Sequence, residues 1–259
     1  METTEAGSPL DVRSRAYWDA HIHDVAVTSH PPGSPGFFAD LEAYHFEKLH
    51  HLLRLVDFEG LRGRRVLDVG CGPGVDLVRF AASGAVVTGI DASRTAAALA
   101  RQNARQRQLP AGIAVADGEA LPFPSGSFDY VFAHGVIQYT AHPERLVNEV
   151  RRVLVDGGTA FLQVYNRRSW LQALSTLTKV DLEHEDAPVL RRYTHAEFRR
   201  LLTGFSEVRL ITERFPVRTR LHKGWKAALF NHLFVGSFNA LPRVLTRRFG
   251  WHLIAICRR

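Results

Sequence analysis

Short apolar runs alternate with helix-periodic stretches through the middle of this 259-residue chain. Residues 66–69 read as a buried strand, glycines at 70, 72 and 74 interrupt it, and an apolar helical pattern runs from Val75 to about Ala82. The alternation then repeats. A second strand over 86–90 ends at Asp91, a breaker-free helix covers 94–108, and a short third strand over 113–116 ends at Asp117. A fourth strand spans 128–133, a helix spans 142–154 and is stopped by Asp156, Gly157 and Gly158, and a fifth strand spans 159–164. Further on, residues 170–180 predict a helix, Thr194 to Glu197 form a capping box opening a helix to about Leu202, and strands are expected over 208–211 and 251–257. Strands separated by helices in this way require right-handed crossovers and a parallel sheet covered on both faces.

The N-terminal sixty residues lack this rhythm. Residues 1–15 are polar and are expected to be loose, and a His-, Pro- and Gly-rich stretch from Tyr17 to Gly36 reads as a covering loop. Apolar positions from Phe38 to Val56 then predict one helix over 37–56.

The glycine interruption is where a ligand is expected, because it removes side chains beside a helix start whose free N–H groups point into the same space. Gly70, Gly72 and Gly74, with Pro73 between the last two, depart from the G-x-G-x-x-G dinucleotide fingerprint by one position and one amide donor. Asp68 precedes the turn, where its charge opposes a pyrophosphate and suits a cation. Asp91 follows about twenty residues later, the place from which a carboxylate reaches ribose hydroxyls. A dehydrogenase with an aberrant turn remains an alternative at this point.

Composition narrows the class. Hydrophobic residues make up 46% and charged residues 23%, as in a soluble globular protein, and no apolar run is long enough to span a bilayer. The first fifteen residues have no apolar signal core, so a cytoplasmic location is expected. The two cysteines, Cys71 and Cys257, have no metal or redox spacing. The net charge of +7 is concentrated: residues 215–259 hold nine Lys/Arg and no Asp/Glu.

Five motifs in order carry a resemblance: V-L-D-V-G-C-G-P-G from Val66, G-I-D-A-S from Gly89, A-D-G-E-A-L-P-F from Ala116, S-F-D-Y-V from Ser127 and E-V-R-R-V-L-V-D-G-G from Glu149. Together they resemble the class I S-adenosylmethionine-dependent methyltransferases, in particular the type 11 group that includes ubiquinone and menaquinone biosynthesis enzymes. The resemblance implies an α/β, Rossmann-like, seven-stranded and mostly parallel sheet with helices on both faces and an antiparallel last strand. It also implies a core over 61–259, a cover over 1–60, and inserts at about 165–192 and 213–249 on the substrate side. By position, Gly70, Cys71 and Gly72 would line the methionine part of S-adenosylmethionine, and Asp68 would help hold its ammonium. Asp91 and the adjoining Ala92 would bind the ribose, and Asp117, Gly118 and Glu119 the adenine. His134 would lie near the transferred methyl. A histidine pair common in the family is replaced by Gln138 and Tyr139, and the Asn/Asp-Pro-Pro-aromatic motif of amino methylation on nucleic-acid bases is absent.

Methyl transfer from a sulfonium is an in-line displacement in which the protein aligns the nucleophile and excludes water. A general base is useful where the acceptor holds a proton; His134 and Tyr139 are the catalytic candidates, with Tyr17, His21, His23 and His45 as further ones. Tyr17, His21, Tyr44, His45 and Trp225 are the expected substrate contacts. His21, His23 and Asp24 read as loop residues, and no metal site is expected. Phe230, Phe234 and Phe238, with Leu233 and Leu241, form an aromatic stripe on a predicted helix. The basic residues around it, Arg218, Arg220, Lys223, Lys226, Arg243, Arg247 and Arg248, suit an anionic membrane surface or an anionic substrate. The expected function is methylation of a small, apolar or aromatic acceptor, on oxygen first and on nitrogen or carbon otherwise. A nucleic-acid methyltransferase and a non-catalytic S-adenosylmethionine-binding module are the alternatives; oligomeric state is not legible.

Overall fold

The computed structural model describes residues 9–179, 182, 184–215, 235–242, 246 and 248–259. Seven strands form one sheet in the order β3-β2-β1-β4-β5-β7-β6. They are β1 (Arg65–Val69), β2 (Val86–Asp91), β3 (Ala111–Val115), β4 (Phe128–Ala133), β5 (Leu154–Tyr165), β6 (Glu207–Glu213) and β7 (His252–Arg258). The first five pair in parallel, while β7 runs antiparallel to both β5 and β6. This is the doubly wound sheet with one reversed strand that the sequence implies.

The strands sit in this sheet because their side chains alternate between two buried layers. On β1, Leu67 and Val69 face one core with Val131 and Ala133 of β4, while Val66 faces the other with Tyr130 and Phe132. The first layer is closed by α6 (Pro143–Val153) and α8 (His195–Leu201). In α6, Leu146, Val147, Val150 and Val153 recur on one helical face and are all buried. Each such side chain contributes roughly 1.5–3 kcal/mol of burial free energy. The second layer is closed by α4 (Val75–Ala82), α5 (Arg94–Gln106) and the short α3 (Leu52–Leu55).

Three expectations are corrected. The first concerns residues 1–15: Pro9–Ala20 is a helix, α1, which contacts α5. Its stability comes from tertiary contacts described below, which a polar sequence does not advertise. Secondly, the single helix expected over 37–56 is two: α2 (Pro35–Lys48), capped by Ser34 with Pro35 at its first position, and α3. Thirdly, Asp156, Gly157 and Gly158 do not separate helix from strand, because they lie within β5, where its register on β4 shifts between Phe128 and Tyr130. The bulge absorbs the glycines.

The expected helix at 170–180 is α7 (Trp170–Thr178). Of the aromatic stripe, Phe238 lies in α9 (Val235–Ala240) and approaches Trp170 and Phe215 at ring-centroid distances of 6.2 and 6.4 Å. Phe230, Leu233 and Phe234 lie outside the described residues, as do Trp225 and all the basic residues of that insert except Arg248.

Candidate active site

A cavity of about 280 Å³ opens at the carboxyl ends of β1, β2 and β4. One end of it is built by the glycine turn. The amides of Gly70 and Cys71 both donate to the carbonyl of Ile90, at 2.8 and 2.9 Å, which folds the turn back across the end of β2. Gly72 donates its amide to Oδ2 of Asp91 at 2.9 Å, and Ser93 donates to Oδ1 at 2.8 Å. Gly72 has φ +53°, and a Cβ there would meet nothing within 4 Å, so its face is open to the cavity. Gly74 serves packing instead, because at φ +81° it caps α4, and a Cβ would stand 3.1 Å from the backbone of Ala100 on α5.

Three carboxylates meet behind this turn. Burial, and then the charges of Asp76 and Asp91, push the Asp68 carboxyl well above its ordinary value. Its Oδ2 is buried without a hydrogen-bond partner. Burial also raises Asp91, against the lowering effect of the two amides it accepts from. A buried cluster of like charge costs free energy until a cation shares the space.

The other end of the cavity is polar and histidine-rich. Nε2 of His45 on α2 lies 3.1 Å from Oδ1 of Asp76 in the first turn of α4. Burial opposes the Asp76 charge, but His45 outweighs it and the carboxyl is lowered overall. His134, immediately after β4, is driven down to about 3 by burial. His252 at the start of β7 is held well below the usual histidine value, by burial and then by Arg214, whose Nη1 donates to Nε2 at 3.3 Å. Gln163 on β5 is fully buried with both amide atoms unpaired, and it lines the cavity.

The N-terminal segment forms the lid. Arg15 of α1 donates to Asp117 Oδ2 at 2.8 Å. Asp19 accepts from the hydroxyl of Ser93 at 2.8 Å and the amide of Thr95 at 3.3 Å, and so adds a second cap to α5. Trp18 sets its ring against Tyr139 at 4.8 Å, and Tyr139 donates to the hydroxyl of Tyr165 at 3.2 Å.

Comparison with known proteins bears on this arrangement. A family model described as a methyltransferase domain matches residues 67–162, the span that contains the glycine turn, Asp91, Asp117 and His134. Within its sequence relatives, the ubiquinone biosynthesis O-methyltransferase of Coxiella burnetii is 33% identical over 107 residues, covering 41% of this chain and 46% of that protein. The protein of the same name from Sodalis glossinidius is 35% identical over 152 residues, covering 52% and 57%. The chain thus spans about half the length of the curated relatives it matches. The fold extends further than the sequence match. Magnesium protoporphyrin IX methyltransferase from Synechocystis, solved with bound S-adenosylhomocysteine, superposes with a TM-score of 0.61 at 16% identity, covering 95% of this chain and 97% of that one. Geranyl diphosphate C-methyltransferase from Streptomyces coelicolor superposes with a TM-score of 0.61 at 18% identity, covering 98% and 100%.

The fold brings most of the expected residues to one cavity wall: Gly70, Cys71, Gly72, Asp91, Ala92, Asp117, Gly118, Glu119 and His134, joined by His21, His45 and Tyr139. Asp68 is not on that wall; it is buried behind it. Glu119 uses its amide on Asp117 Oδ1 at 2.8 Å and its side chain on Thr140 and the amide of His142, so it ties two loops together. Tyr17 points to His184 and Asp186, and Tyr44 lies under the Lys48 ammonium; neither is brought to the cavity wall. His23 faces His184 at 2.8 Å.

Asp76, Gln163, Tyr165, Arg214 and His252 also line the cavity and were not anticipated from sequence. Three of them had a signal. Gln163 and His252 are polar residues in buried, mostly apolar strand segments, and Asp76 is an acid on the buried side of an apolar helix.

Proposed function

We propose that this chain is an S-adenosylmethionine-dependent methyltransferase acting on a small, oxygen-bearing acceptor. The observation that carries the reading is the continuous cavity that joins the glycine turn and Asp91 at one end to the His45–Asp76 pair and His134 at the other. The residues fit the cofactor. Gly72 leaves an open face, Asp91 keeps lone pairs for ribose hydroxyls, Gly118 lies beside Asp117 for an adenine ring, and the carboxylate cluster favours a ligand bearing positive charge. When bound, S-adenosylmethionine supplies a methyl group already activated on a cationic sulfur. The protein then acts in three ways. It orients the acceptor through Gln163, Tyr165 and His252. His45, held by Asp76, takes the hydroxyl proton. The α1 lid excludes water through Trp18, Arg15 and Asp19.

Oxygen as the methylated atom is supported by the names of the sequence relatives and by the carboxylate-held His45, which an already nucleophilic nitrogen would not need. Isothermal titration tests the donor half: saturable binding of S-adenosylhomocysteine without binding of NAD, lost in Asp91→Ala, is expected. Absence of that binding overturns the reading.

A second reading concerns location. The nine Lys/Arg unopposed by acids over 215–259 suit an anionic membrane surface, from which an apolar acceptor would be drawn. No helix among the described residues is long and apolar enough to cross a membrane. Co-sedimentation with anionic vesicles at low salt is expected, and its absence would sink the surface reading. Binding to RNA or DNA in the same buffer would instead favour a nucleic-acid acceptor.

A further inference from the structure

We propose that His45, Asp76 and His134 together bind a divalent transition-metal ion at the acceptor end of the cavity. One ligand atom from each, two ring nitrogens and a carboxylate oxygen, lie within 4.8 Å of one another. Nε2 of His45 and Oδ1 of Asp76 are 3.1 Å apart. Two ligands at ~2.1 Å from a tetrahedral ion stand about 3.4 Å apart, so this pair is already at coordination distance, and a small movement of the His134 ring completes the set.

The three residues come from separate, packed elements: the body of α2, the first turn of α4 and the end of β4. Their spacing is therefore set by the fold. Asp76 is buried, and His45 and His134 are half-buried beside it. Nε2 of His134 is buried without a hydrogen-bond partner. Lys48, a nearby cation, is paired with Asp24. Two imidazoles and one carboxylate select ions such as Zn²⁺, Fe²⁺ or Co²⁺ over Mg²⁺ or Ca²⁺, which prefer all-oxygen sets.

Three protein ligands leave coordination positions facing the cavity. An acceptor hydroxyl or adjacent oxygen pair would take them, which specifies the substrate as an oxygen chelator such as a catechol, a hydroxyketone or an enolised diketone. This extension rests on the methyl-transfer reading; ion binding itself does not. With the ion in place, His45 gives its lone pair to the metal and the coordinated hydroxyl releases its proton to water, the metal lowering its pKa. The oxygen lone pair then forms the O–CH₃ bond, the S–CH₃ bond breaks, and its electron pair stays on sulfur.

The test uses the full chain without a polyhistidine tag, stripped with chelator and titrated with Co²⁺ and Zn²⁺. One ion per chain, visible Co²⁺ absorption bands and displacement by Zn²⁺ are expected. His45→Ala, His134→Asn and Asp76→Asn should each weaken binding at least about tenfold, while His50→Ala, an exposed histidine outside the set, should not. Thermal melting checks that each variant is folded, and the asparagine variants retain a polar side chain where alanine leaves a hole. No saturable binding by the wild-type chain, or binding that survives all three substitutions, overturns the proposal. Titration of the metal-free chain with S-adenosylhomocysteine separates the two readings: donor binding without metal binding sinks only this one, and metal binding without donor binding sinks only methyl transfer.

Discussion

Arg15 and Asp117, 102 residues apart in sequence, are joined by a 2.8 Å hydrogen bond that fastens the lid helix to the edge of the sheet. Both side chains are partly exposed, at 48% and 36%, so the pair adds less than about 1 kcal/mol to folding. Arg15→Ala should therefore leave the melting temperature within about 4 °C of the parent. Its effect belongs to the lid: S-adenosylhomocysteine should dissociate several-fold faster, as measured by stopped-flow fluorescence of Trp18. An unchanged release rate would mean that the lid does not gate the donor.

Asp68 opposes stability as its carboxyl ionises. Its carboxyl is held well above the ordinary value of 3.8, so the folded chain binds that proton more tightly than the unfolded one. Stability is then lost as pH rises from the ordinary carboxylate range through the raised value, because ionisation leaves a buried charge. Asp68→Asn should raise the melting temperature of the ligand-free protein and weaken S-adenosylhomocysteine by about tenfold. Calorimetry and isothermal titration on one sample measure both, and a loss of stability would refute the argument.

The two glycines of the turn should respond differently to alanine. Gly74→Ala combines a left-handed backbone with a methyl 3.1 Å from the Ala100 main chain, so the α4–α5 contact must open. Gly72→Ala bears only the backbone strain of about 1–2 kcal/mol, because the methyl enters open space. Urea melts should show the larger loss for Gly74→Ala. Donor affinity should fall in folded Gly72→Ala, whose methyl projects into the cavity.

Gln163 offers a cleaner separation of folding from function. Its amide lines the cavity, is fully buried and has neither atom hydrogen-bonded within the protein, a costly arrangement for folding. Gln163→Met should raise the melting temperature, leave donor affinity unchanged and raise KM for the acceptor at least about tenfold. Steady-state kinetics with an accepted substrate provide the check.

The donor half of this cavity was legible because it is local. A strand, a glycine turn and a helix lie within residues 66–82, and Asp91 and Asp117 close the next two strands by the same rule. His134 follows directly from the end of β4. The acceptor half is assembled from distant pieces: His45 from α2, Gln163 and Tyr165 from β5, Arg214 after β6, and His252 from β7. No spacing in the sequence encodes their meeting. Periodicity likewise found the helices packed on the sheet and missed α1, whose anchoring is made by Arg15, Trp18 and Asp19 with partners elsewhere. The break between α2 and α3 escaped because the apolar pattern continues across it.

β7 follows β6 in the chain yet lies between β6 and β5 in the sheet. During synthesis, β1 to β5 can pair as they emerge, whereas β6 has no neighbour to join until residues 252–258 have been made. The nascent chain should therefore acquire its nucleoside-binding edge first and its histidine-lined chamber last, when His252 arrives with the closing strand. A ribosome-bound intermediate stalled before that strand would present the glycine turn and Asp91 without the chamber that His252 completes.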